Sequence, residues 1–485
     1  MKMSYKKIKS NALKAAAFLL VWSLGIHTAF GLIKLPAIFQ DGMVLQQSTK
    51  VAFWGTTDPS KTVRIETSWN QETYQVKADA EGNWKLKVKT PVAGGPYTVQ
   101  LDDGDKRTLR DVWIGEVWIC SGQSNMAMPV KGFSKQPILG SAELIKNAKN
   151  PNIKLFRIPT AQSLSPLQAC NAVWESADAA SVSLFSAVGY QFATMLQKKL
   201  NVPIGIIESA YGGTKVQAWM EQASVQKFPE LQKELQVESD KRTPKGKVTK
   251  NTPTVLFNAM INPILGYTFR GALWYQGEGN RTQASHYAAW FAEMVHSWRK
   301  LWDQGAFPFY YVQIAPYKYD GQNESAFLRE AQLKALSLIP NAGMAVTLDI
   351  GSKQTIHPPQ KTKVAERLVN LALSEVYGQS HIDTEGPLYK GMKTKGNIVT
   401  LSFKNTADGL TSSGKELTNF EIAGADRVFH PAVAEISGKD RITVSSEEVQ
   451  HPIAVRYAFK DWVLGDLYNT AGLPASSFRT DHWPQ

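Results

Sequence analysis

The chain has 485 residues, of which 43% are hydrophobic and 20% charged, with a formal charge of +12. That length and balance allow two to four domains with a large core, and they exclude a disordered or fibrous protein. Five lysines within residues 1–31 leave +7 for the rest of the chain, too diffuse and too poor in interleaved aromatics for a nucleic-acid surface.

Lys2, Lys6, Lys7, Lys9 and Lys14 lead into an apolar run over 15–26, and Ala29-Phe30-Gly31 offers small residues for cleavage. This pattern predicts a secretory signal peptide over 1–31, a mature chain beginning near Leu32, and an extracytoplasmic location, periplasmic or secreted. The run is short for a bilayer, and no other segment is apolar for long enough to cross one, so no stable membrane insertion is expected after cleavage.

Residues 32–111 alternate in short runs broken by turns, among them Val51-Ala52-Phe53-Trp54-Gly55, Val63-Arg64-Ile65-Glu66-Thr67 and Trp84-Lys85-Leu86-Lys87-Val88. Strands at this spacing predict a small β-sandwich. Trp69 and Tyr74 read as sandwich core or ordinary surface rather than sugar platforms. From 112 to 385 the pattern becomes strand–helix alternation, with helices expected over 181–200, 285–303, 325–338 and 361–377. The second carries Tyr287, Trp290, Phe291, Met294, Trp298 and Leu301 at helical spacing, a packing stripe. Alternating β and α with near-continuous apolar strands predicts an α/β domain, a parallel sheet with helices on both faces. A polar excursion is expected at about 222–255. Its lysine-rich end, Lys241, Arg242, Lys245, Lys247 and Lys250, reads as a solvated loop able to attract an anionic sugar. Residues 386–485 return to β, expected beside the N-terminal sandwich.

Four turns in the α/β region carry chemistry. After the strand Val112–Trp118 comes Ile119-Cys120-Ser121-Gly122-Gln123-Ser124-Asn125-Met126. Gly122 permits a tight turn, and Ser124 can project beyond the sheet edge as a nucleophile. In Thr355-Ile356-His357-Pro358-Pro359-Gln360-Lys361 a histidine sits on a stiff loop between a strand and a helix, which suits a general base. Tyr211-Gly212-Gly213-Thr214 and Gln276-Gly277-Glu278-Gly279-Asn280 each end a buried strand. Bare glycine N–H groups and the Gln276 or Asn280 amides are the donor types of an oxyanion hole. All four turns fall where ligands bind such sheets, at the carboxyl ends of the strands.

In this order the blocks Gly-Gln-Ser-Asn-Met, Tyr-Gly-Gly-Thr, Trp-Tyr-Gln-Gly-Glu and Ile-His-Pro-x-x-Lys resemble the sialate O-acetylesterases of the SGNH (GDSL-like) hydrolase superfamily. The resemblance extends to Phe39-Gln40-Asp41-Gly42-Met43 near the front and Gly472-Leu473-Pro474-Ala475-Ser476 near the end. It implies Ser124 as nucleophile and His357 as base, with the Ser124 N–H, the Gly213 N–H and the Gln276 side chain as oxyanion donors. Many such enzymes place an Asp three residues before the His, where this chain has Gln354. Two arrangements therefore stand open, a triad with Asp349 or a dyad oriented by a backbone carbonyl. The α/β-hydrolase elbow Gly-x-Ser-x-Gly is excluded, because Met126 holds its last position.

The expected reaction is serine esterase chemistry on an acetylated carbohydrate, with no cofactor and no metal, since no Cys-x-x-Cys or His-Glu-x-x-His spacing occurs. The resemblance points to O-acetylated sialic acid, whose carboxylate needs a cation; Lys215 and Arg281 follow the two glycine-rich turns. A neutral glycan such as acetylated xylan would instead use stacking residues, with Tyr211 and Trp219 as candidates. Two rival readings remain, a glycoside hydrolase using two of Glu116, Glu208 and Glu278, and a non-catalytic carbohydrate-binding protein. Cys120 and Cys170 allow one disulfide or a buried free thiol.

Overall fold

The computed structural model describes residues 33–240, 246–319 and 324–483; the expected signal peptide lies outside them. Its centre is a sheet ordered Ala342–Ala345, Phe309–Val312, Gly271–Tyr275, Lys106–Gly122, Ile204–Ala210, Asn150–Arg157 and Trp174–Ala177. All neighbours are parallel except the last pair. Side chains alternate across this sheet. Val117 and Ile119 join a core shared with helix Ala284–Trp302, while Trp118 and Cys120 join a second core with helices Ala187–Leu200 and Lys361–Glu375. Burial on both faces is why these strands read as continuous apolar runs.

The N-terminal strands lie where the alternation places them. Lys50–Thr56 pairs with Asn83–Lys89, and Thr62–Thr67 lies between Thr73–Lys77 and Gly94–Asp102. The boundary expected near 111 falls inside one continuous strand. The first part of Lys106–Gly122 pairs antiparallel with Gly94–Asp102, and its last part is the middle of the parallel sheet. Ile38, Phe39, Val44 and Phe53 share one core with Trp274 and Phe291.

Two further differences have local causes. The helix expected over 181–200 is two, Ala179–Leu184 and Ala187–Leu200, because Ser186 leaves helical geometry and its side chain caps the second by accepting from the Gly189 N–H at 3.1 Å. The C-terminal β region packs on the Ala342–Ala345 side rather than beside the N-terminal strands. Its core includes Leu348. The buried Arg329 of helix Glu324–Ala335 donates to Ser477 Oγ at 3.0 Å, and Gln313 Nε2 donates to Ser476 Oγ at 2.7 Å. The polar excursion contains the helix Pro229–Ser239. Cys120 and Cys170 are both free thiols.

Candidate active site

Strand Lys106–Gly122 ends in a backbone that only glycine tolerates. Gly122 has φ +134°, and a Cβ there would lie 2.2 Å from the Tyr275 carbonyl oxygen. The chain then turns into a short helix, Ser124–Ala127. The Gln123 N–H donates to Tyr275 O at 2.9 Å. Gln123 Oε1 accepts from the Gly277 and Gly279 N–H groups at 3.3 and 3.1 Å. The serine turn is thereby fastened to the end of strand Gly271–Tyr275. The Gly-Gly turn abuts it from the other side, since a Cβ on Gly212 would stand 3.3 Å from Ser124 Cβ.

Ser124 and His357, 233 residues apart in sequence, meet with Oγ 2.8 Å from Nε2. The other ring nitrogen, Nδ1, is 2.6 Å from Gln136 Oε1, which also accepts from Thr355 Oγ1 at 2.8 Å. An amide oxygen only accepts, so Nδ1 carries the proton and Nε2 presents its lone pair to the serine hydroxyl. Phe133 packs edge-on against the imidazole at 5.2 Å between centroids. Burial, and then the charge of Lys361, hold the His357 pKa down at about 4. The ring is therefore neutral over the ordinary working range.

Asp349 does not reach the histidine. Its buried carboxylate takes two hydrogen bonds from Arg367, at 2.8 and 2.7 Å, and Lys363 lies 3.5 Å away. Neither of the arrangements left open by the sequence is found: the orienting group is a side-chain amide, and it comes from a loop more than 200 residues upstream. Gln136 carries no sequence signal, because a lone glutamine after Lys135 in a polar loop looks like solvent-exposed turn.

The oxyanion candidates separate. Gln276 is fully buried, and its Nε2 donates to Thr214 O at 3.0 Å and to Asn280 Oδ1 at 2.8 Å. Asn280 in turn donates to Gln217 Oε1 and Gln283 Oε1. These amides fasten the Gly-Gly turn to the Gln-Gly-Glu turn, so the expected donor role of Gln276 is corrected to a structural one. Gly213, in the left-handed region at φ +71°, lies beside Lys250, and Lys250 Nζ donates to Gly212 O at 2.5 Å.

The expected sugar contacts are redistributed in the same way. Trp219 is fully buried, donates from Nε1 to Thr214 Oγ1 and meets Trp274 edge-on, so it is core rather than a stacking platform. Arg281 pairs with Glu324 at 3.2 Å and lies 3.6 Å above the Tyr319 ring. Half-buried Lys215 lowers the carboxyl of Glu234, against the larger upward push of that group's burial. Tyr211 remains half-buried at the Gly-Gly turn, with Lys250 Nζ 5.2 Å from its ring. Among the described residues, Lys250, which the sequence places in a solvated loop, thus sets a cation beside that turn.

The three strand carboxylates are each held by other groups. Glu116 is six residues before Gly122 on the same strand, about 20 Å away, and is held by Arg270 at 2.8 and 3.0 Å. Glu208 is buried and accepts from the Ser186 N–H at 2.9 Å. Glu278 accepts from Asn125 Nδ2 at 2.5 Å. A cavity of about 1080 Å³ opens at the opposite end of the sheet beside Lys50, Arg270 and Pro308, away from Ser124.

Residues 114–373, more than half of the chain, match the family described as carbohydrate esterase, sialic acid-specific acetylesterase. Sialate O-acetylesterase of Mus musculus is 29% identical over 90% of this chain and 92% of its own length. That of Homo sapiens is 30% identical over 73% of each. A crystal structure of a carbohydrate acetylesterase from Xanthomonas citri is similar with a TM-score of 0.84 and 34% identity, covering 93% of this chain and all of that one. The chain therefore belongs to the sialic acid-specific acetylesterase family of carbohydrate esterases, and it is a carboxylic ester hydrolase.

Proposed function

We propose that this protein removes O-acetyl groups from sugars, with O-acetylated sialic acid as substrate, through an acetyl-enzyme on Ser124. The observation that carries the reading is the 2.8 Å contact between Ser124 Oγ and His357 Nε2, with the opposite ring nitrogen tied to Gln136. His357 accepts the Ser124 proton as Oγ attacks the acetyl carbonyl. The oxyanion is received by the N–H groups of Ser124 and Gly213. The sugar oxygen leaves with the proton from His357. Water then gives its proton to His357 and attacks the acetyl carbonyl; His357 returns that proton to Ser124 Oγ as the acyl C–O bond breaks, releasing acetate and restoring the serine. Among the described residues, Lys250 lies beside the Gly-Gly turn, with Nζ on Gly212 O, and is our candidate to meet a sialic acid carboxylate, while Arg281 is paired with Glu324.

Ser124→Ala should lower kcat by several orders of magnitude, on the order of 10⁶ by analogy with loss of a serine protease nucleophile, while the melting curve stays native. A variant retaining a tenth of the activity would remove Ser124 from the mechanism. For the substrate, kcat/KM on O-acetylated sialic acid and on acetylated xylo-oligosaccharide should favour the former, and Lys250→Ala should reduce that preference. Preference for the neutral glycan, unchanged in Lys250→Ala, would move the substrate to neutral sugars and leave the esterase reading intact. Export is part of the proposal: protein isolated from its native cell should begin near Leu32, and Met1 as the first residue would overturn it.

A further inference from the structure

Directly beneath the serine and histidine lies a buried polar array that the ester chemistry does not itself require. Asn125, the residue after the nucleophile, is fully buried. Its Nδ2 donates to Glu278 Oε1 at 2.5 Å and to the carbonyl of Ile356, the residue before the histidine, at 3.1 Å. Its Oδ1 accepts from Nζ of Lys361, which is also fully buried and lies 5.3 Å from the Tyr275 ring. Glu278 Oε2 has no hydrogen-bond partner among the described residues. Burying ionisable groups is costly, so an array of this kind at a site boundary invites a functional account.

We infer that Lys361, Asn125 and Glu278 form a positioning device for His357. Asn125 ties the histidine loop to the serine turn, and Lys361 places a cation near the imidazole. This inference rests on the Ser124–His357 reading above. One amide bonds the segment before the base to the segment after the nucleophile, so the Nε2–Oγ distance is set by a short, buried linkage rather than by the loop alone. The groups facing His357 are Ser124, Gln136, Phe133 and Lys361. Those facing Lys361 are Asn125, Glu278 and the Tyr275 ring.

The charge has a direction. Burial lowers the Lys361 pKa to about 7, against the opposing pull of Glu278. Burial raises that of Glu278, against hydrogen bonds from its own backbone and Asn125 and the charges of Lys361 and Arg281. Below about pH 7 Lys361 is therefore protonated, over the interval in which an ordinary histidine would also take up a proton. A cation there opposes imidazolium, so the base stays neutral to lower pH.

The test is kcat, KM and the pH–rate profile on 4-nitrophenyl acetate for the wild type, Lys361→Met and Asn125→Ala, with Ser124→Ala as control. Lys361→Met should lower kcat about tenfold with KM within about twofold, and should move the acid limb upward by roughly one pH unit. Asn125→Ala should lower kcat similarly and leave the limb nearer the wild-type position, because the lysine remains. An acid limb in Lys361→Met that overlays the wild type, or losses expressed only in KM, would overturn the inference. Should Lys361→Met lack a native melt, Asn125→Ala decides: reduced kcat at constant KM supports the device, and unchanged kcat overturns it. Activity surviving in Ser124→Ala would instead sink the underlying mechanism. A dead Ser124→Ala with unaffected Lys361 and Asn125 variants would sink this inference alone.

Discussion

Gln136 offers the sharpest perturbation of the site, because one neutral oxygen holds both the His357 ring and Thr355 Oγ1. Gln136→Leu removes that acceptor. In the ground state a neutral hydrogen bond is worth about 1 kcal/mol net, but the transition state carries an imidazolium, whose hydrogen bond is worth about 1.5–3 kcal/mol. The expected cost in kcat is the difference, about 0.5–2 kcal/mol or roughly 2- to 30-fold, below the ~10⁴ seen when the aspartate of a serine protease triad becomes an amide. Gln136→Glu tests the same contact with the opposite sign. A carboxylate 2.6 Å from Nδ1 favours imidazolium, so the ring gains its proton at higher pH. The acid limb of kcat/KM should then rise from the region of pH 4 set by the present environment toward neutrality. The assay is a pH–rate series on a soluble acetyl ester, with acetate release measured directly. If Gln136→Leu kept wild-type kcat while Asp349→Asn lost over about a hundredfold, the ring would be oriented through Asp349 and the argument from geometry would fail.

Asp349→Asn should leave kcat within about threefold and lower stability by about 3 kcal/mol, because it breaks a buried pair with Arg367; urea denaturation beside kinetics checks both. Gly122→Ala should destabilise the fold by about 2–4 kcal/mol, since its Cβ would meet Tyr275 O at 2.2 Å in a left-handed backbone; an unchanged urea midpoint would contradict this. Glu208 is fully buried, and burial raises its pKa to about 7. The folded state then holds a proton that the unfolded chain releases, so stability falls as pH rises from about 4.5 through 7. Glu208→Gln should remove that fall and gain up to about 3 kcal/mol at pH 8 relative to pH 5, read from denaturation midpoints at the two values.

Local pattern carried much of this protein. Apolar alternation and helical spacing located the strands around Ser124 and the helices at 284–302 and 361–375 to within a few residues, because those periods are properties of the backbone itself. The glycine at 122 was readable for a similar reason, as a turn that ends a strand must adopt a conformation few residues tolerate. Four blocks in fixed order were enough to name the family, and they place Ser124 and His357 at the same edge of one sheet. Tertiary structure alone decided what the polar side chains do. Gln136 meets His357 from 221 residues away, Asp349 is claimed by Arg367, Gln276 is spent on Thr214 and Asn280, and Lys250 returns from an excursion to the Gly-Gly turn. A hydrophobic period records which face of an element is buried. A hydrogen bond depends on where two chains of atoms cross in space, and its partner leaves no trace in neighbouring residues. That is why the fold was legible from short windows of sequence and the orientation of the histidine was not.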